Sequence, residues 1–194
     1  ASDIISACES VKFDIGKFGE RYFTYIAAFG AFTEVSYATP SELKHSLGHL
    51  AYMLEAAKSI TKITGNHAII EYDGGIIEDD FIFGAISNSY TVGKVIQLNR
   101  TEICLNDGLY EVLLAKNPGT VKGWAELAKS VLNKKLDNPN ITFLKGKHIE
   151  IETTDGSPLP WTLDGEYGGD DNKVVIDVHK HAFNFIRPPL LNEM

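Results

Sequence analysis

The sequence predicts a mainly β chain: an antiparallel β-sandwich decorated with two main α-helices. Three observations lead there. Eight to ten short stretches carry strand texture and are separated by Gly, Asn and Asp turn signals. Only two long stretches repeat apolar residues at helical spacing. Strands also follow one another directly, without the strict strand–helix alternation that builds a parallel sheet. No internal repeat and no linker interrupts the 194 residues.

Taken in order, Ile4, Ile5, Cys8 and Val11 fall at helical spacing behind Ser2 and Asp3, which predicts a short helix or connecting segment over residues 1–12. Phe13 to Tyr37 is aromatic and β-rich, centred on the run Arg21 to Ile26. Thr39-Pro40-Ser41-Glu42 then supplies a capping hydroxyl, a first-turn proline and a reciprocal Glu. Leu43, Leu47, Leu50, Leu54 and Ala57 follow as one apolar stripe, and Gly65 is the stop. His67 to Asp73 and Ile76 to Ser87 read as the arms of a hairpin turning at Gly74-Gly75. Further strands are expected at Val95–Leu98, Leu109–Lys116, Ile141–Leu144, Lys147–Thr153, Lys173–His179 and His181–Arg187. A second helix falls between Gly119 and Leu136, burying Trp124, Leu127, Ala128, Val131 and Leu132, and Asp137-Asn138-Pro139 ends it.

Composition narrows the function. Hydrophobic residues make up 44% and charged residues 23%, as in a globular domain. The net charge of −8 argues against nucleic acid, which demands a concentrated Lys/Arg surface, and gives no pull toward anionic lipid. Two cysteines, Cys8 and Cys104, make neither a disulfide framework nor a zinc site and point to a reducing cytoplasm. No apolar run reaches the roughly 20 residues of a membrane span. The chain starts at Ala1, which reads as a piece of something longer.

No phosphate-cradling glycine loop or nucleophile elbow is present. His179 and His181 read as strand positions at a turn, or as a metal or anion site lacking a third ligand. Leu163-Asp164-Gly165-Glu166 is more informative. In an extended segment Asp164 and Glu166 share a face with Cα atoms about 6.5 Å apart. Two carboxylates so close raise at least one pKa, which makes a general base. The plain alternative is an Asp-Gly hairpin turn followed by an exposed Glu. Cys104-Leu105-Asn106-Asp107-Gly108-Leu109 is first a turn, and a turn of this kind can also aim oxygens at a hard cation. Asp170-Asp171-Asn172 reads as a solvated hairpin tip.

Taken together, four segments resemble the C-terminal domain of the soluble bacterial diacylglycerol-kinase-like lipid kinases. They are Arg21-Tyr22-Phe23-Thr24-Tyr25-Ile26-Ala27-Ala28-Phe29-Gly30, Leu47-Gly48-His49-Leu50-Ala51-Tyr52, Asn106-Asp107-Gly108-Leu109-Tyr110-Glu111-Val112 and Leu163-Asp164-Gly165-Glu166. The resemblance runs from about Asp14 to Ile186. It implies residues 1–12 as the remnant of an interdomain segment, residues 13–187 as the sandwich and 188–194 as a tail. An N-terminal nucleotide domain with a Gly-Gly-Asp-Gly-Thr motif is absent from this sequence. It further implies ATP-dependent phosphorylation of a lipid hydroxyl, with ATP and the catalytic Mg²⁺ held mainly by that absent domain. Carried over, Glu166 is the base and Asp164 orients it, or the reverse. A structural Mg²⁺ maps onto the Cys104 carbonyl, the Asp107 carboxylate and the Leu109 carbonyl, although Asn106 stands where many relatives have a second acid. The implied partners are a lipid alcohol at the membrane surface, contacted peripherally, and, through exposed strand edges, a second copy in a homodimer. Two other readings stay open: a non-catalytic lipid- or partner-binding sandwich, and a dinucleotide kinase, whose signatures the sequence lacks.

Overall fold

The structure, a computed structural model, describes residues 9–31, 64–92, 96–98, 103–133 and 136–187. The helix expected over Thr39 to Gly65, the segment Leu47–Tyr52 and Cys8 lie outside the described residues, apart from Thr64 and Gly65.

Thirteen strands and one helix are described. They run β1 (Glu9–Phe18), β2 (Arg21–Phe23), β3 (Ile26–Gly30), β4 (Asn66–Tyr72), β5 (Gly75–Ser87), β6 (Thr91–Val92), β7 (Ile96–Gln97), β8 (Tyr110–Lys116), α1 (Val121–Leu132), β9 (Ile141–Gly146), β10 (His148–Thr153), β11 (Leu159–Leu163), β12 (Glu166–Asp171) and β13 (Lys173–Arg187). The pairing is antiparallel throughout, in the order β12-β11-β3-β5-β4-β10-β13-β1-β2, with β8 bonded to β5 and β9. β5 is the spine. Its first half pairs with β4, Tyr72↔Gly75 to Asn66↔Phe81, and its second half pairs with β3 and β8. One 13-residue strand therefore belongs to both layers of a curled sheet.

Alternation along the strands explains the packing. Ala27 and Phe29, Ile86, Val112 and Leu114 face Ile70, Ile149, Ile151, Ile176 and Val178 in one core, with Trp161 fully buried among them. The Trp161 ring centroid lies 4.9 Å from that of Phe29 and 5.1 Å from that of Phe18. The opposite side chains of β3, β5 and β8 (Ile26, Ala28, Ala85 and Leu113) pack with Val92, Leu98 and Ile103 in a second cluster. Both faces of this layer are covered, so β3 reads as an apolar run, and so does β8 from Val112 to Ala115. Gly84 is required here. A Cβ on it would lie 2.1 Å from Phe29 Cε1.

Thr120 caps α1, its Oγ1 accepting from the Gly123 amide at 3.1 Å, and Leu127 is the buried residue of its apolar side. Residues 9–12 are not helical. They belong to β1 and pair with β13, Glu9↔Arg187 to Lys12↔Asn184. The two strands expected either side of Lys180 are one strand, β13, whose register slips at that point. Phe13 faces Phe183 and Ile15 faces His179, so Asp14 alone opposes residues 180–182. The Arg21–Ile26 run is also two strands, broken at Thr24-Tyr25. Among the described residues no helix is long and apolar enough to cross a membrane.

Candidate functional site

Asp164 and Gly165 are not extended. They form the two-residue turn between β11 and β12, both at positive φ (51° and 93°). Asp is among the few non-glycine residues that accept this conformation readily. The carboxylates of Asp164 and Glu166 are therefore not presented on one face of a strand. The turn gives them separate tasks.

The Asp164 carboxylate closes on the break between β2 and β3. The Thr24 amide donates to Oδ2 at 2.9 Å and the Thr24 hydroxyl to the same oxygen at 3.1 Å. The Tyr25 and Ile26 amides each donate to Oδ1 at 2.9 Å. The backbone N–H of Asp164 donates to the Ile26 carbonyl at 2.8 Å. Three consecutive amides around one carboxylate are a filled anion nest, and the charge makes each bond stronger than a neutral one. Glu166, at the start of β12, is exposed, and no hydrogen bond or ion pair holds its side chain among the described residues.

The second acidic segment is tied to the first through two residues that the sequence reading passed over, Asp14 and Asn88. Asp14 is 1% exposed. The Gly108 amide donates to its Oδ2 at 2.6 Å and the His181 amide to its Oδ1 at 2.7 Å. This carboxylate fills the slip in β1–β13 and satisfies the His181 backbone, which sits at φ 56°. The Asn88 side-chain amide donates to the carbonyls of Asp14 and Leu105, and its backbone amide donates to the Tyr25 carbonyl at 3.1 Å. His181 Nε2 lies 3.0 Å from the Asn106 carbonyl, which assigns the proton to Nε2. The Tyr110 hydroxyl donates to the Asp14 carbonyl. Burial, with the charges of Asp14 and Asp164 nearby, pushes that phenol above its ordinary range. A continuous hydrogen-bonded path thus joins Asp164, the Thr24–Ile26 amides, Asn88, Asp14 and the 105–108 turn.

In that turn Asp107 Oδ1 accepts from the Leu109 amide at 2.9 Å, the usual Asx arrangement. Its Oδ2 lies 3.6 Å from Lys145 Nζ, which also pairs with Glu111 Oε1 at 3.2 Å. Burial pushes the Glu111 carboxyl up, opposed by Lys145. Cys104 is a free, exposed thiol, its Sγ donating to Asn106 Oδ1. The Cys104 and Leu109 carbonyls and the Asp107 carboxylate are an all-oxygen set, which suits a hard cation such as Mg²⁺. Lys145 shares the carboxylate. No group of three or more His, Cys, Asp or Glu side chains suited to a metal occurs among the described residues. His179 sets its ring edge-on to Tyr22, 6.0 Å between centroids, whereas His181 Nε2 is engaged with the Asn106 carbonyl. Asp170 and Asp171 belong to β12, and Asn172 links it to β13.

The family described as the YegS C-terminal NAD kinase beta sandwich-like domain matches residues 28–186. The chain belongs to this family. Among curated proteins it is similar to a diacylglycerol kinase of Staphylococcus carnosus (strain TM300), 29% identical over 93% of this chain and 58% of the relative. A diacylglycerol kinase of Bacillus subtilis (strain 168) is 26% identical over 92% of this chain and 60% of its own length. The chain thus spans about three fifths of these relatives. A crystal structure described as a putative diacylglycerol kinase from Bacillus anthracis str. Sterne shares the fold, with a TM-score of 0.68 and 24% identity over 93% of this chain and 58% of that one.

Proposed function

We propose that this chain is the sandwich domain of an ATP-dependent lipid kinase of the diacylglycerol kinase type, and that Glu166 takes the proton from the lipid hydroxyl. The observation carrying the assignment is the occupancy of Asp164. Its two oxygens already accept four hydrogen bonds, three from backbone amides, so its work is to hold the β2–β3 break against the β11–β12 turn. Glu166, two residues on, is the carboxylate left over to accept a proton. A base must lie within hydrogen-bond reach of the hydroxyl it deprotonates, and an exposed glutamate on a clamped turn meets that condition when a substrate lies over the turn.

The reaction is an in-line attack of the lipid alkoxide on the γ-phosphate of ATP. Positioning and electrostatic stabilisation supply most of the rate in such transfers. ATP and its Mg²⁺ belong to the part of the protein beyond this chain. A Mg²⁺ at the Cys104 carbonyl, Asp107 and the Leu109 carbonyl would supply only charge and oxygen coordination, pinning the turn that Gly108 ties to Asp14.

The names of the curated relatives and the match to the family support this reading. It is tested by giving the full-length protein ATP and three acceptors in parallel: diacylglycerol in mixed micelles, a short soluble diol, and NAD. Phosphate transfer to the micellar lipid is expected. Transfer to NAD alone would move the protein to the dinucleotide kinases. No transfer to any acceptor, with lipid binding retained, would make the sandwich a binding module.

A further inference from the structure

The ladder of β5, β8 and β9 sets a polar row into an otherwise apolar face. Ser87 pairs with Glu111, and Glu111 pairs with Lys145. Flanking positions on this face are Ala85, Leu113 and Phe143, which belong to the second hydrophobic cluster. The Glu111 side chain is wholly buried, and neither of its oxygens accepts a further hydrogen bond beyond the Lys145 ion pair among the described residues. Lys145 cannot leave this row without stranding a buried carboxylate. At the same time its Nζ reaches Asp107 Oδ2. One ammonium therefore serves two carboxylates, one fixed and buried, the other at the rim with 27% of its side chain exposed.

We infer that Lys145 is a resident competitor for the Asp107 turn: a divalent cation binds there only as the ammonium retreats from Asp107 onto Glu111. The inference rests on the proposed cation site and adds the residues that set its affinity. The charges define the direction. With Asn106 neutral, the turn offers one carboxylate, and Lys145 sets a positive charge beside it. A dication approaching Asp107 Oδ2 meets a like charge within about 4 Å, a repulsion large enough to change affinity by an order of magnitude even with solvent screening. Glu111 works the other way. By holding Lys145 through the strand register it draws the ammonium off Asp107. The pair makes cation occupancy adjustable, where a second acid in place of Asn106 would make it constitutive.

The test is a calorimetric titration of Mg²⁺, and separately Mn²⁺, into the full-length protein without nucleotide, with the thermal midpoint followed at each cation concentration. Lys145→Met alone leaves Glu111 buried and unpaired and risks misfolding. The decisive variant is Lys145→Met/Glu111→Gln, which removes both charges of the row. It is expected to bind the cation about tenfold tighter than wild type at the Asp107 site. Glu111→Gln alone, which releases Lys145 to Asp107, is expected to bind several-fold weaker. Asp107→Asn is expected to abolish this binding in either background. The competition is overturned if the double variant binds no tighter than wild type while Asp107→Asn still removes binding. If Asp107→Asn changes nothing in any background, the cation site itself falls, and the inference with it.

Discussion

Replacing Asp164 by Asn separates the negative charge of this side chain from the backbone geometry of its turn. Both residues tolerate the positive φ of 51°, so the substitution adds little strain. What changes is the nest. Asp164 accepts from three amides and one hydroxyl, two bonds at each oxygen. Asn keeps one acceptor oxygen and turns an NH₂ group toward the other two donors, so at least two bonds are lost and the charge assistance of the rest disappears. With a partly exposed position the loss is about 1 kcal/mol per bond, and about 2 to 3 kcal/mol in all. For a chain of this size that lowers the thermal midpoint by roughly 4–12 °C. Urea unfolding followed by circular dichroism measures the free energy, and amide hydrogen exchange locates it. Thr24, Tyr25 and Ile26 should exchange faster in the variant while the β4–β10 pairs stay protected. A variant within about 0.5 kcal/mol of wild type, with unchanged exchange at those three amides, would refute the clamp.

Other consequences are simpler to measure. Gly84→Ala drives a methyl group into the Phe29 ring and should cost about 1 to 3 kcal/mol in urea unfolding; a neutral result would mean that the ring sits elsewhere. Asp14→Asn, whose buried carboxylate serves the Gly108 and His181 amides, should destabilise by about 2 kcal/mol or more by the same assay, despite a near-isosteric change. His148 is held above the ordinary histidine value near 6.5 by its hydrogen bond to Asp177, so the folded state binds its proton more tightly than the unfolded one. That contribution is complete below 6.5 and is lost as pH rises through the higher folded value. The gap in thermal midpoint between wild type and His148→Gln should therefore shrink as pH is raised above 6.5, and a constant gap would contradict the pairing.

Local chemistry carried much of the fold. The Gly74-Gly75 hairpin lands within a residue, as β4 (Asn66–Tyr72) and β5 (Gly75–Ser87), and α1 (Val121–Leu132) falls inside the span expected between Gly119 and Leu136 but ends earlier, at the Asn133 cap. What escaped was non-local. The spacing of Ile4, Ile5, Cys8 and Val11 is helical, yet pairing with β13 decides the conformation of residues 9–12. β11 and β12 hide behind Pro158, Pro160, Gly168 and Gly169, residues that weaken any strand signal, while cross-strand partners supply the stability. The Asp-Gly-Glu and Asn-Asp-Gly segments were legible as candidates because turn chemistry is written in neighbouring residues. Their connection was not, since Asp14 meets Gly108 and His181 across 94 and 167 positions. The Asp between Phe13 and Ile15, in a strand that alternates charged and apolar residues, was the available signal: a buried carboxylate there has to find donors.

The division of labour between the two acids of the β11–β12 turn is tested most directly by the rate of phosphate transfer in the full-length protein carrying Glu166→Gln. The expected result is a fall in kcat of about 10² to 10⁴, with the thermal midpoint and ATP affinity unchanged, because only the proton acceptor has been removed. A variant that transfers phosphate within about threefold of wild type would show that Glu166 takes no proton in the reaction.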